Sequence, residues 1–150
     1  MRSIDTELRK LLELHREWHS SLGASGKQLS AVDLDLSELD LSGIDLVDAE
    51  LPGVRLDGTV LRGADLSGAH LGGASMVRAD LTEAMLSKSN LDHASFVEAT
   101  MRGARMLKAS LAHANLRAAN LTKAELGRAY ACDANLEGAI LRGADRKSVV

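Results

Sequence analysis

A chain of 150 residues with 18 Lys plus Arg, 21 Asp plus Glu and a formal net charge of −3 fits a single domain. Its one Trp, one Tyr and one Phe are too few for an ordinary globular core, and its one cysteine, Cys132, cannot close an internal disulfide, which is compatible with a reducing interior. No run of about 18 apolar residues is present, so no membrane span is expected.

Residues 1 to about 22 read as a helix. Ser3 or Asp5 is a candidate N-cap, and Asp5 and Glu7 suit the positive end of the helix dipole. Leu8, Leu11, Leu12, His15, Trp18, His19 and Leu22 follow helical spacing on one face, with Arg9, Lys10, Glu13, Arg16 and Glu17 around the rest. Gly23-Ala24-Ser25-Gly26 is expected to end it as a short flexible linker. The charged start lacks an apolar segment of the kind a secretory signal needs. Residues 1–26 are therefore expected to form a separate unit, either a cap on the first coil of the repeats or a docking helix for a partner.

From about residue 34 to 145 the chain repeats in fives: Leu-Asp-Leu-Ser-Glu at 34–38, Ala-Asp-Leu-Ser-Gly at 64–68, Ala-Asp-Leu-Thr-Glu at 79–83, Ala-Asn-Leu-Glu-Gly at 134–138. A Leu, Met or Phe recurs at every fifth position from Leu36 to Leu141, and Ala131 is the one miss. Such a period fits neither regular element. Five residues advance about 500° around an α-helix, so the apolar pair never forms a stripe. In a flat strand an odd repeat sends the pair to alternate faces. The conflict disappears if the chain turns a corner once per repeat, with the small residue and the Leu both inward. Nine of the 13 Gly lie two residues after the central position, where a type II turn needs positive φ. Four corners close a coil of twenty residues, and coils stack at about 4.8 Å.

These A-[D/N]-L-x-x repeats resemble the pentapeptide-repeat family. The resemblance implies an all-β solenoid: a right-handed quadrilateral β-helix of about five and a half coils, here with an N-terminal α-helix. The expected division is 1–26 for the helix and linker, 27–145 for the β-helix and 146–150 for a tail. Leu46, Leu66, Leu86, Phe96, Met106 and Leu126 are core-ladder residues on this reading. In the first coils the inward small positions carry Leu34, Leu39, Ile44 and Val54, larger residues that offer the helix an apolar seat. Ala131 is expected to leave a small void. A bacterial cytoplasmic location follows from the family alone.

Residues twenty apart share a column on the surface, which exposes an uneven charge. Residues 31–83 hold eleven acids and three Arg, whereas residues 84–145 hold six acids and eight Lys or Arg. Asp45, Asp65 and Trp18 toward the acidic end, and the cation column Lys88, Lys108, Arg128, form the candidate partner surface. Many of the acids sit just before the central Leu, where a short polar side chain bonds to nearby backbone. His93, His113 and Asp133 share a column and are a weak candidate for a metal site, although one coil spacing is wide for one ion. Tyr130 and Ile140 point outward near the last coil and suggest end-to-end pairing into a homodimer. No catalytic constellation or phosphate loop appears, so no enzymatic activity and no cofactor are expected. Direct binding to nucleic acid is not expected, because no aromatics interleave the cations. The leading expectation is a scaffold that presents flat faces to an unidentified protein partner. The alternative drawn from the family is a DNA mimic that binds DNA gyrase or topoisomerase and confers quinolone or toxin resistance.

Overall fold

The computed structural model describes residues 3–147. Helix α1 (Thr6–Ser20) opens on Asp5, whose side chain accepts from the Leu8 backbone N–H at 2.8 Å. Asp5 rather than Ser3 is the cap, and Glu7 lies in the first turn. Leu8, Leu12 and His15 are the buried residues of α1. The helix ends in two reversed hydrogen bonds, from Gly23 N–H to the Trp18 carbonyl at 2.8 Å and from Leu22 N–H to the His19 carbonyl at 3.1 Å. This is a Schellman motif in which Leu22, at φ +54°, occupies the position that usually belongs to Gly.

The stretch expected to be a flexible linker is instead folded back on the helix. Ser21 Oγ bonds both the N–H and the carbonyl of Ser25, and Lys27 N–H donates to the Leu14 carbonyl at 2.9 Å. Gly26 permits this approach: a Cβ there would collide with the Leu14 carbonyl oxygen.

From residue 30 the chain is a solenoid. Parallel pairings join residues twenty apart without interruption, from Ser30 with Glu50 to Glu125 with Asp145. Each inward pair bonds to one residue of the next coil, and the residue between the pair bonds to the coil before. Leu66 N–H donates to the Met85 carbonyl at 2.7 Å, and Met85 N–H donates back to Ala64 at 2.9 Å. Within a coil, a turn follows each central residue, as where Ala69 N–H donates to the Leu66 carbonyl at 3.1 Å. With a turn every five residues and a register of twenty, each coil has four sides.

At every corner from residue 33 to 143 the third turn residue has positive φ, as a type II turn requires. Glycine marks only nine of these corners. Fourteen others carry residues such as Glu83, Lys88, His93 and Lys108, at φ between 52° and 63°. The left-handed region costs a non-glycine residue roughly 1–2 kcal/mol. The hydrogen bonds to two neighbouring coils and the buried pair in each repeat offset that cost, so corner geometry is set by the stack and not by glycine alone.

The core is two kinds of inward ladder, one of central residues and one of small residues, repeated on each side of the tube. Leu46, Leu66, Leu86, Phe96 and Met106 have no exposed surface, and Leu126 keeps 7%. The second kind is nearly all Ala from Ala64 to Ala129. Ser89 within this run and Thr59 just before it carry hydroxyls that donate to the carbonyls of Leu86 and Leu36, so neither is left without a partner. Of the larger inward residues, Leu39 and Val54 are fully buried, while Leu34 and Ile44 are half-buried against the cluster. Beyond Leu126 the ladder opens. Ala131 is half-buried and Leu136 is 40% exposed, and a cavity of about 90 Å³ is lined by Leu116, Leu121, Leu126, Ala131, Leu136 and Leu141. The void expected at Ala131 is therefore an opening at the end of the tube.

Candidate partner-binding surface

The acids placed before each central residue serve the backbone first. Asp35, Asp40, Asp45, Asp65 and Asp80 each accept, through Oδ1, the N–H two residues on, at 2.9–3.1 Å. Asn90, Asn115, Asn120 and Asn135 do the same at 3.0–3.2 Å. This closes each turn with a side chain and explains why the position takes Asp or Asn. In Asp80, the bonds from Thr82 and the ion pair with Arg62 outweigh partial burial, so its carboxyl titrates below the usual carboxylate range.

Asp57 and Asp92 act differently. Each lies at the second turn position and reaches the next coil, where it accepts from a Ser hydroxyl (Ser75 and Ser110) and from a backbone N–H (Val77 and Ala112). They clasp coil to coil.

Asp45 has a second partner. His19 Nδ1 on α1 donates to Asp45 Oδ2 at 2.7 Å, and this bond raises the pKa of His19 above its ordinary value. Asp45 thus ties α1 to the solenoid. Next to it a groove of about 250 Å³ runs between α1 and the first coils, lined by Ile4, Leu12 and Ile44 with Arg9, Glu13, Arg16 and Asp45. Ile44 supplies part of the apolar seat expected for the helix.

His15 sits inside this junction with no exposed surface. Its Nδ1 accepts from Leu29 N–H at 2.9 Å, which fixes the neutral ring with its hydrogen on Nε2. Nε2 has no hydrogen-bond partner among the described residues. Burial lowers the pKa of His15, against the opposing pull of Asp45. The ring stacks on Trp18 at 5.7 Å between centroids, so Trp18, half-buried, belongs to the junction as much as to the surface.

Lys88, Lys108 and Arg128 are exposed at successive corners of one edge, and none forms an ion pair with another described residue. Lys147 lies beside the column, twenty residues after Gly127, and a shallow groove of about 270 Å³ lies over Leu107, Lys108, Gly127, Arg128 and Lys147. Neighbouring cations one coil apart repel by up to about 1 kcal/mol in water. Asp65, half-buried, and Asp48, exposed, lie toward the opposite end.

His93 and His113 stack face to face, 4.9 Å apart at an angle of 14°. Ring nitrogens bind a metal in the ring plane, so stacked rings aim their lone pairs in parallel and do not converge on one ion. Asp133 lies 3.8 Å from His113, beyond hydrogen-bond range. Among the described residues no group of three or more His, Cys, Asp or Glu is placed to hold a metal, and the column of His93, His113 and Asp133 does not converge on one point. Tyr130 and Ile140 are 47% and 51% exposed beside the open end of the tube. The neighbouring Cys132 side chain raises the pKa of the Tyr130 hydroxyl.

Sequence reading missed Asp48 and the tethering roles of His15 and His19. The helical spacing did place both histidines on the apolar face, but the choice of partner depends on how α1 meets the first coils. No helix among the described residues is long and apolar enough to cross a membrane.

Among solved structures, the chain is similar to Rfr23, a pentapeptide-repeat protein of the cyanobacterium Cyanothece 51142, at 24% identity over 81% of this chain and 87% of that one, with a TM-score of 0.48. It is also similar to QnrB1 (R167E, trypsin-treated), a plasmid-mediated fluoroquinolone resistance protein, at 20% identity over 81% and 72% with a TM-score of 0.44. HetL, a pentapeptide-repeat protein involved in heterocyst differentiation regulation in Nostoc sp. strain PCC 7120, matches at 23% over 87% and 92% with a TM-score of 0.24. No curated protein sequence is a significant match. The family model for pentapeptide repeats, in 8 copies, matches residues 29–68, 64–103 and 109–145. With the coil register and the corner geometry in agreement over the same residues, the chain belongs to the pentapeptide-repeat family.

Proposed function

We propose that this protein is a non-enzymatic scaffold whose flat solenoid faces, together with the tethered helix α1, bind a protein partner. The observation that carries this reading is the constant register: outward side chains recur every twenty residues along a straight column, which suits recognition over a wide surface. The surface comprises Asp45, Asp65 and Trp18 toward one end and Lys88, Lys108 and Arg128 toward the other. On this reading the body is a right-handed quadrilateral β-helix of about five and a half coils, residues 27–145, and it works in the cytoplasm. The test is affinity capture with the whole chain, followed by direct binding to the captured protein. Reversing Lys88, Lys108 and Arg128 to Glu weakens binding at least tenfold, while Arg102→Ala on another side leaves it unchanged. Turnover of a substrate that depends on one named residue overturns the reading.

A second reading, action on DNA gyrase or topoisomerase as a DNA mimic, draws on the acidic stretch of residues 31–83. It requires that the protein inhibit supercoiling by gyrase or protect the enzyme from a quinolone at micromolar concentration. Against it stands the change to basic columns in the second half, since a mimic of duplex DNA is negative along its length. Pairing of two copies through the open end of the tube, at Tyr130 and Ile140, is supported by the exposed Leu136 beside them. Ile140→Lys removes such a pair in sedimentation; an unchanged pair overturns it.

A further inference from the structure

One edge of the solenoid changes sign along its length. Its corner column runs Gln28, Asp48, Gly68, Lys88, Lys108, Arg128. At one end Gln28 Nε2 donates to the Asp48 carbonyl at 2.7 Å, and the Asp48 carboxylate lies over Gly68 of the next coil. Asp45 and Asp65 flank this end. At the other end stand Lys88, Lys108 and Arg128, with Lys147 beside Arg128, and backbone N–H groups of all three corners bond to the next coil. Asp45 is taken by His19, and Arg105, near the basic end, is paired with Glu125 at 3.3 Å. Asp48 and Asp65 form no ion pair with another described residue, and neither do the four cations.

We propose that this edge is self-complementary: a second copy of the chain lies antiparallel along it, so that the acidic end of each copy faces the basic end of the other. Spacing selects this occupant. The cations repeat once per coil, at about 4.8 Å. An extended acidic peptide presents carboxylates on one side every 6.6–6.8 Å, roughly two residues of rise, and falls out of step within a few positions. A second solenoid repeats at the same interval and stays in step. With the two-fold axis between the coil of Gly68 and the coil of Lys88, Asp48 faces Lys108 and Lys88 faces Gly68, with Asp65 three residues before it on the same coil, each contact occurring twice. Within the corner column itself no like charges meet in that register, because Arg128 faces the uncharged Gln28. The edge from Asp48 to Arg128 spans four coil steps, about 19 Å, and is narrow, so the pair is weak and sensitive to salt.

Sedimentation velocity of the full chain tests this, at about 300 µM protein in about 20 mM and about 500 mM sodium chloride, since the Debye length falls severalfold between them. A dimer forms in low salt and is lost in high salt. Lys108→Glu and Asp48→Lys each weaken it at least tenfold, and the two together in one chain restore it. Circular dichroism confirms that each variant is folded; both side chains are exposed, and a Lys already occupies the Asp48 column at Lys88. Ile140→Lys leaves this dimer intact, which separates it from pairing at the end of the tube. A monomer in both salts, a double reversal no better than either single one, or a dimer abolished by Ile140→Lys overturns the proposal.

Discussion

The same substitution at two central positions, one mid-stack and one in the last coil, separates the closed tube from its open end. Leu86 has no exposed surface, while Leu136 is 40% exposed. Leu→Ala removes three carbons, about 2.4 kcal/mol of transfer at roughly 0.8 kcal/mol each. At Leu86 the coils above and below are fixed by backbone bonds, from Leu86 N–H to Arg105 at 2.7 Å and from Met85 N–H to Ala64 at 2.9 Å, so the tube does not collapse onto the gap. A cavity of a few tens of Å³ then adds about 1 kcal/mol, for a total of about 3–4 kcal/mol. At Leu136 the transfer loss shrinks to about 1.5 kcal/mol and no closed cavity forms. For a chain of this length those losses lower the melting temperature by about 10 °C and about 4 °C. Thermal unfolding followed by circular dichroism, with urea unfolding as a second measure, gives both values. Losses for the two variants within about 0.5 kcal/mol of each other would refute the assignment of a closed and an open rung.

Three further outcomes rest on individual residues. Leu22 holds φ +54° with 94% of its surface exposed, so Leu22→Gly relieves backbone strain without losing packing and raises stability by up to about 1 kcal/mol; a decrease in thermal unfolding contradicts the Schellman assignment. Gly68→Ala drives a Cβ into Asp48 Oδ1, whereas at Gly63 nothing lies within 4 Å. Gly68→Ala therefore destabilises more than Gly63→Ala, and the difference disappears in an Asp48→Ala background; a difference that persists there removes Asp48 as the cause. The two junction histidines respond oppositely to pH. His15 has a lowered pKa, so its contribution is present above about 6.5 and is lost as pH falls, while that of His19, with a raised pKa, is present below about 6.5 and is lost as pH rises through its folded value. Asp45→Asn removes the His19 share, so docking of α1, read by Trp18 fluorescence, weakens more steeply between pH 7 and pH 5 than in the parent; equal slopes contradict the tether.

The solenoid was legible because its signal is redundant. Each of the 22 central positions votes for the same corner, and Ala131 as a lone miss does not disturb the phase. The role of Asp before the central residue was legible too, because the turn that it closes lies two residues away in sequence. Non-glycine corners were harder to see. Lys88 or His93 gives no local sign of positive φ, which the stack imposes. The junction of α1 was harder still. The bond of His19 to Asp45 spans 26 residues, and that of Leu29 to His15 spans 14. Neither belongs to a repeat, so no periodicity announces it. The segment from Gly23 to Gly26 read as loose from composition, yet Gly26 serves close contact with α1. The stacked His93 and His113 show the limit of column reasoning. It placed the two rings together correctly, but ring orientation, which decides between a ligand pair and a stack, is not encoded in spacing.

The register of twenty is tested most directly by cross-linking across it. In a Cys132→Ser background, Ser95→Cys with Asn115→Cys joins two residues paired between adjacent coils. Their Cα atoms are about 4.8 Å apart, within disulfide reach. Ser95→Cys with Ser110→Cys is the control, closer in sequence but on a different side of the coil. Oxidation is predicted to close the first pair rapidly and within one molecule, and to leave the control reduced. A disulfide in the control, or none between positions 95 and 115, would contradict a chain that turns every fifth residue and returns to the same side after twenty.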